Sequence, residues 1–588
     1  MQQTDSIENQ SKRFDIPWLA ACSVITAIAA FLRFYDLALK PFHHDEGVNG
    51  FFLTTLFRDG VYKYDPANYH GPTLYYIAVA FVEVFGLKTV PVRASVAIFG
   101  VLTVVLTFFL RRYIGTIGSL SAGLFIALSP GMVFISRYFI HEIFFVFLSL
   151  GVVISVVYFI DQRKAGVFAI TWMALILLAC FSPSAIKMGT AFGGNNPTSV
   201  WAIRSGFFII EAVLVFLVMR MLLAWNEGRP IYLLLAVSCV SLMFATKETA
   251  FITIGTMAIA CGCVWIWQKI SRRDEIVNNE INDVTLNWRE FALGMGKSID
   301  RTLIIAAATA LFVYVFVLFF SSFFTHPEGV RSAFEAYTLW LKTGSKDHTQ
   351  NGFWAYVKWM WEAEAPMLIL SALGTAIAFI KARHRFAMFA GLWAFGLLLA
   401  YSIIPYKTPW LALSFLLPMC LVAGYGINEL FASVKPLAIF LVIAAAGMMA
   451  YQTIDLNFYR YDDEDTAYVY AHTKRQFLDM VREIERYAEK SGNGKNARIE
   501  IVSPDYWPLV WYLNDYPKAV FHGSIADADQ SDIIVAKKDE QDAAVISKYS
   551  ARYRYVGTYA LRPGVDLMLL VRKDIADPGA KELYLIER

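Results

Sequence analysis

Two histidines and two adjacent acids, in Phe42-His43-His44-Asp45-Glu46-Gly47, follow directly on the first long apolar run of the chain. Such groups are costly to desolvate unless they have partners or chemistry to do. If the apolar run crosses a bilayer, the acids sit at its far mouth, where membrane meets water. A carboxylate there can act as a general base toward a water-soluble acceptor while a lipid carrier reaches it from the membrane side. The plainer reading is a solvated acidic loop.

Further ionisable residues recur at the outer ends of other expected spans. Arg137, His141 and Glu142 occur in Ser136-Arg137-Tyr138-Phe139-Ile140-His141-Glu142, Lys247-Glu248 follow Ala245-Thr246, and Lys407 lies between Pro405 and Pro409. The two prolines break a helix around Lys407 and hold its side chain at a bend. Each position also fits a side chain that snorkels to the interface or pairs with a neighbour, Lys247 with Glu248 or Arg137 with Glu142. The joint pattern carries more. Acids at one mouth suit proton removal by Asp45 or Glu46, and the cations Arg137, Lys247 and Lys407 on the same face suit a departing phosphate. His141, Glu142, Glu248, His43, His44 and His70 remain as a second acid or as acceptor contacts.

A divalent ion is a further reading of His43, His44, Asp45 and Glu46 with His70 or His141. None of these has a recognised zinc spacing, and vicinal histidines seldom give two ligands to one ion. No metal and no other cofactor is therefore expected. A phosphate-cradling glycine loop, a dinucleotide fingerprint and a Gly-x-Ser-x-Gly elbow are all lacking, so nucleotide-driven transport and serine hydrolysis have no support.

The elements that must position these groups are membrane helices. The 588 residues are 57% hydrophobic and only 17% charged, against about 25% charged in soluble domains. The net charge of +3 is too small to suggest nucleic acid. All six cysteines lie in apolar runs, which excludes a disulfide framework. A polar start with Lys12 and Arg13, followed by an apolar run too long for a cleaved signal, reads as a signal anchor.

Apolar runs near 16–38, 90–110, 116–135, 139–160, 166–183, 202–223, 230–246, 249–268, 302–322, 365–381, 386–404, 410–430 and 436–453 predict about thirteen spans. The stretch 72–86 is short and interrupted by Glu83. Laying it on the surface as an interfacial helix puts Arg111-Arg112, Arg163-Lys164, Arg229, Lys269 with Arg272-Arg273, and Lys381 with Arg383 and Arg385 on the inner side. The N-terminus is then cytoplasmic, the C-terminus is outside, and eight of the nine histidines face outward. The long inner loop, 269–301, is polar and reads as a connector.

Residues 1–453 thus form the membrane unit and 454–588 a separate outer domain. In the latter, a helical pattern over 466–490 precedes strand-like runs at 498–503, 519–522, 533–536, 552–560 and 567–571, with a short helix within 507–514. Helix and strand alternate, which predicts a small α/β domain with a partly parallel sheet. Trp507, Trp511 and Tyr512 fit either sugar stacking or core packing.

Asp45-Glu46 in a first outer loop, an interfacial helix after Gly71-Pro72, and many spans with an outer C-terminal domain resemble the membrane-embedded GT-C glycosyltransferases. Protein O-mannosyltransferases and aminoarabinose lipid A transferases are the nearest in kind. The fuller set of His43-His44-Asp45-Glu46-Gly47, Tyr69-His70-Gly71-Pro72, Thr246-Lys247-Glu248 and Ser503-Pro504-Asp505-Tyr506-Trp507-Pro508 resembles a bacterial and archaeal branch known as flippase-activity-associated and linked to archaeal protein glycosylation. The likeness to GT-C covers residues 1–453, and that to the branch the whole chain.

The resemblance implies transfer of a sugar from a polyprenyl-phosphate carrier to an extracytoplasmic protein, lipid or glycan, with inversion and without a nucleotide sugar. It implies Asp45 as the base with Glu46 beside it, His141-Glu142 where relatives place a second acid, and Lys407 where relatives place a basic residue. Other readings are a transporter or flippase of lipid-linked sugars and an accessory scaffold. Transporters usually show internal repeats and broken helices at the membrane midplane; no repeat is evident here and the charges gather at one face.

Overall fold

The computed structural model describes residues 15–68, 70–194, 196–271, 295–344, 351–381, 384–528 and 530–585. Tyr69 and most of the expected inner connector, 272–294, lie outside the described residues, as do Lys12, Arg13, Arg272, Arg273 and Arg383.

Long apolar runs with few breakers become helices, and they follow one another through about three quarters of the chain. They are α1 (Ile16–Phe34), α2 (His44–Asp59), α3 (Thr73–Phe85), α4 (Thr89–Phe108), α5 (Arg111–Ile114), α6 (Thr116–Leu128), α7 (Pro130–Ser136), α8 (Glu142–Ile160) and α9 (Val167–Gly193). Next come α10 (Pro197–Ala224), α11 (Arg229–Phe244), α12 (Ala250–Ser271), α13 (Ser298–Phe320), α14 (Glu328–Gly344), α15 (Ala355–Lys381), α16 (Arg385–Ile403), α17 (Leu413–Ser433) and α18 (Lys435–Ile454).

Ten stretches among the described residues are long and apolar enough to cross a membrane, or eleven with the pair α6–α7, bent by 57°. The chain is a multi-pass membrane protein. All thirteen expected ranges hold helices, and three physical features account for the lower count. Pro197–Phe244 is a single 48-residue apolar stretch by composition, but left-handed Asn226 and Glu227 turn the chain between α10 and α11. Pro130 starts α7 anew after Ser129. The apolar part of α9, Val167–Cys180, is short. Helix α3, with 13 residues, reaches about 20 Å and cannot cross an apolar layer of about 30 Å.

At the centre stands α17, whose apolar window is wholly buried. It packs on α6, α15, α16 and α18, and glycines let the backbones meet. A Cβ on Gly424 would lie 2.3 Å from the Gly118 carbonyl oxygen, and one on Gly374 2.1 Å from that of Val422.

The C-terminal region has α19 (Phe477–Lys490), α20 (Leu509–Tyr512) and α21 (Asp542–Tyr549) around six strands: β1 (Ile499–Ile501), β2 (Ala519–Phe521), β3 (Ile533–Lys537), β4 (Tyr553–Arg562), β5 (Val565–Arg572) and β6 (Lys581–Glu582). The sheet order is β2-β1-β3-β5-β4-β6. β1 pairs in parallel with β2 and β3, and the remaining pairs are antiparallel, so the partly parallel sheet is as expected. The helix expected from 466 begins only at Phe477; Phe477, Met480, Val481, Ile484 and Tyr487 form its buried stripe. The segment before it is drawn instead into the contact with the membrane helices.

That contact is specific. Phe42 stacks on Trp511 with ring centres 4.7 Å apart, its amide donates to the Tyr512 hydroxyl at 2.9 Å, and its carbonyl accepts from Thr473 at 2.6 Å. Trp511 donates to Thr89 Oγ1 at 3.2 Å. Trp511 and Tyr512 are therefore occupied by packing between the two parts, not by an open sugar-stacking face.

Candidate functional site

Four short motifs far apart in sequence interlock at one end of the helix bundle. Gly71 donates its amide to the Thr246 carbonyl at 3.0 Å, and Thr73 donates to that of Ala245. A Cβ at Gly71 would lie 2.0 Å from the Ala245 carbonyl oxygen, so a glycine is needed where these backbones meet. A Cβ at Gly47 would approach Pro508 to 2.8 Å. The outer loop, the turn between α11 and α12, and the 503–508 loop are thus held against one another by the backbone.

Between the outer loop and the α11–α12 turn lies a cavity of about 220 Å³. His44, Asp45, His70, His141, Glu142, Lys247 and Glu248 all line it, so seven of the residues singled out in the sequence come together. Asp45 stands in the first turn of α2, where the helix dipole favours an anion. Its side chain is 40% exposed, and its amide donates to His43 Nδ1 at 3.1 Å.

Deeper in, Lys247 forms a buried ion pair with Glu142. Burial alone would push the Lys247 ammonium down, but Glu142 and Glu248 outweigh it and hold it above the usual lysine range. Glu248 accepts from His70 Nδ1 at 2.9 Å. Burial opposes its charge, yet His70 and Lys247 hold its carboxyl below the usual range. His141 donates through Nε2 to the Gly71 carbonyl at 3.2 Å. Burial, with His70 and Lys247 adding to it, pushes its imidazole well below the usual range, so it stays neutral. Burial also lowers His44, against the pull of Asp45.

Four expectations need correction. Glu46 is no free base: it is fully buried against Arg93, which grips it with two hydrogen bonds of 2.8 and 2.6 Å. It also accepts from the amides of Phe139 and His43. Arg137 does not reach the cavity, because its guanidinium donates to the carbonyls of Leu32, Tyr35 and Asp36 and lies over Phe458. It caps the C-terminal carbonyls of α1. His43 faces away from the cavity, caps α2 and bonds the Tyr470 carbonyl. Lys407 lies just behind the wall, donating to the Ile404 carbonyl at 2.6 Å, while its neighbours Tyr406 and Thr408 line the cavity.

Other lining residues went unnoticed in the sequence. Asn49 is fixed by Tyr75 and Phe139, and Tyr401 and Trp410 close the side toward Lys407. Trp340 comes from α14. Arg93 had a visible signal, a cation four residues into an apolar span, which calls for a buried partner. The aromatics had none, because apolar helices are full of them. Among the described residues no group of three or more His, Cys, Asp or Glu side chains is arranged to hold a metal ion.

The family described as Dolichyl-phosphate-mannose-protein mannosyltransferase matches residues 54–192. No curated protein matches the chain. Among solved structures, ArnT from Cupriavidus metallidurans in the apo state is similar, with TM-score 0.54, 13% identity, and coverage of 96% of this chain and 99% of that one. ArnT bound to undecaprenyl phosphate aligns with TM-score 0.51 and 13% identity over 96% and 100% of the two chains. The Archaeoglobus fulgidus oligosaccharyltransferase tethered with an acceptor peptide gives TM-score 0.47 and 12% identity over 96% of this chain and 76% of that one. At such identities the likeness to ArnT is one of fold.

Proposed function

We propose that this chain, whose fold is that of the GT-C glycosyltransferases, moves a sugar from a polyprenyl-phosphate carrier to an acceptor on the outer face of the membrane. The observation that carries the reading is the cavity itself. It joins a half-exposed carboxylate, Asp45, to a buried cation, Lys247, at the end of a bundle of membrane helices. The matched mannosyltransferase family uses a lipid-phosphate sugar by its description, and ArnT binds undecaprenyl phosphate; both support a donor of that class.

In the proposed reaction the acceptor oxygen attacks the anomeric carbon as Asp45 takes its proton. The bond from that carbon to the phosphate oxygen breaks, and the electron pair stays on the phosphate. That leaving group is already an anion, so it needs cations rather than a general acid; Lys247 supplies one. One displacement inverts the anomeric centre. The donor carries its own activated bond, so the step calls for no nucleotide or redox cofactor.

The cavity end of the bundle is proposed to be extracytoplasmic, with the N-terminus inside and the C-terminal domain outside. The basic clusters support this, since Arg111 meets Asp15, Arg163 meets Asp161, and Lys164 meets Glu227, all at helix ends remote from the cavity. A cysteine at Asn493, in the exposed turn after α19, is expected to react with a membrane-impermeant thiol reagent in intact cells. Labelling only after lysis would reverse the orientation.

The activity itself is tested with purified protein in lipid nanodiscs and a polyprenyl-phosphate-linked hexose. Acceptor-dependent release of polyprenyl phosphate is expected. Transbilayer movement of the intact donor without bond cleavage would favour a flippase and overturn the proposal.

A further inference from the structure

The loop before α20 carries two aromatic side chains that packing against the membrane helices does not absorb. Trp511 is buried and donates to Thr89, and the Tyr512 hydroxyl is taken up by the Phe42 amide. Tyr506 and Trp507 are only half-buried. They continue a line of rings that starts at the cavity. His44, in the cavity wall, has its ring centre 6.1 Å from that of Trp507. Trp507 lies 5.7 Å from Tyr506, and Tyr506 lies 5.3 Å from Phe521. Phe521, also half-buried, ends β2, an edge strand of the sheet. The ladder thus runs from the cavity that holds Asp45 to the edge of the C-terminal domain.

A cluster of charges stands beside these rings. Asp505 pairs with Arg562 and, at 3.0 Å, with Lys537; all three side chains are partly exposed. Arg562 and Asp505 are close enough to His44 to act on its charge. The loop itself is held in place. Ser503 Oγ accepts from the Asp505 amide at 3.2 Å and donates to the Asp505 carbonyl at 2.8 Å, while Pro508 seats on Gly47. A surface fixed before its ligand arrives loses little entropy on binding.

Rings flanked by hydrogen-bonding groups suit a carbohydrate chain. A pyranose offers an apolar C–H face that packs on an aromatic side chain, and rim hydroxyls that donate to Asp505 or accept from Arg562 and Lys537. An acyl chain would strip water from the three charges and return no hydrogen bond. A peptide added as a strand needs a longer edge than β2, which has 3 residues.

We propose that the acceptor is a carbohydrate chain whose terminal sugar enters the cavity at Asp45 while the preceding sugars lie along Trp507, Tyr506 and Phe521. This rests on the transfer reading and names its acceptor class. The attacking oxygen is then a hydroxyl of the terminal sugar, and its proton goes to Asp45 as in the displacement above. The C-terminal domain selects the acceptor by length, because each further ring engaged adds contact outside the cavity.

The test uses the full chain in lipid nanodiscs, with linear oligomers of mannose and of glucose, from disaccharide to pentasaccharide, as probes. Saturation-transfer NMR reads binding without turnover. The pentasaccharide of one series is expected to bind about fivefold or more tighter than its disaccharide, the order of effect of added aromatic contacts. Trp507→Ala and Tyr506→Ala should each weaken the pentasaccharide by a similar factor. Phe521→Ala, farthest along the ladder from the cavity, should remove the advantage of the longer chain, whereas a merely structural loss weakens both lengths alike. Donor binding, measured separately, reports that each variant is folded. Should Trp507→Ala fail to fold, the length dependence in Tyr506→Ala and Phe521→Ala still decides. Absence of binding by every probe, binding indifferent to length, or a length preference moved by neither of those two substitutions overturns the ladder. Length-dependent binding without transfer from a polyprenyl-phosphate-linked hexose overturns the transfer reading instead and leaves a carbohydrate site.

Discussion

Asp45 and Glu46 occupy adjacent positions in the first turn of α2, yet one faces the cavity and the other the core. Glu46 is enclosed with Arg93, both at 0% exposure, and its acceptor sites are filled by a guanidinium and two backbone amides. Asp45 keeps 40% of its side chain exposed. A helix turns about 100° per residue, so neighbours in one turn meet different surroundings. The core side is built to be completed within the fold: Arg93 also ties down the carbonyls of Leu37, Lys40 and Pro41 and so fixes the approach to α2. The cavity side leaves a carboxylate for something that arrives. The lesson is that the carboxylate proposed as the base depends on a structural one beside it.

The sharpest way to break this contrast is Asp45→Asn, which keeps size and removes the basic oxygen. Turnover is expected to fall about 10²–10⁴-fold with thermal stability and donor binding unchanged. Wild-type turnover would remove Asp45 from the reaction.

Arg93→Met strands the Glu46 carboxylate in the core. A loss of stability of about 3–5 kcal/mol is expected, seen as a lower unfolding temperature in detergent. Adding Glu46→Met should restore much of it, since a buried pair replaced by apolar groups is often nearly neutral. If Arg93→Met alone is as stable as wild type, Glu46 is not the structural member of the two.

Lys247→Gln sharpens the comparison from the cation side. It removes the positive charge offered to the phosphate and leaves Glu142 unpaired. The apparent donor constant should rise by an amount worth about 1.5–3 kcal/mol, the value of a charge-assisted contact. Equal donor affinity would make the pair an anchor alone.

Gly47→Ala pushes a methyl group toward Pro508, where a Cβ would sit at 2.8 Å. Overpacking costs about 1–3 kcal/mol, and here it should appear as easier proteolytic separation of the C-terminal domain. The smallest effect on chemistry is expected from Arg137→Gln, which loses carbonyl contacts at the end of α1. It should lower stability and leave the donor constant within about twofold, against about tenfold for a lost phosphate contact.

Much of this molecule was legible from the chain alone. Long apolar runs need to be helical and buried in lipid or protein whatever their neighbours, so the run near 142–160 was bound to become α8. Alternation after Ser491 marked strands for the same local reason, and breakers such as Pro405 and Pro409 marked bends. Polar groups at span ends are costly to bury, which drew attention to Asp45, His70, His141 and Lys247 before any contact was known.

Only the tertiary structure decided what each charge meets. Arg93 lies 47 residues from Glu46, Lys247 lies 105 from Glu142, and His70 lies 178 from Glu248. A charge near an apolar span announces that it needs a partner, but the partner comes from whichever helix packs beside it. Local spacing sets the period of a helix, whereas the orientation of one helix against another is set by side-chain fit across the whole bundle. For that reason Arg137, equally conspicuous in sequence, ended on the carbonyls of α1, and Asp45 was left to face the cavity.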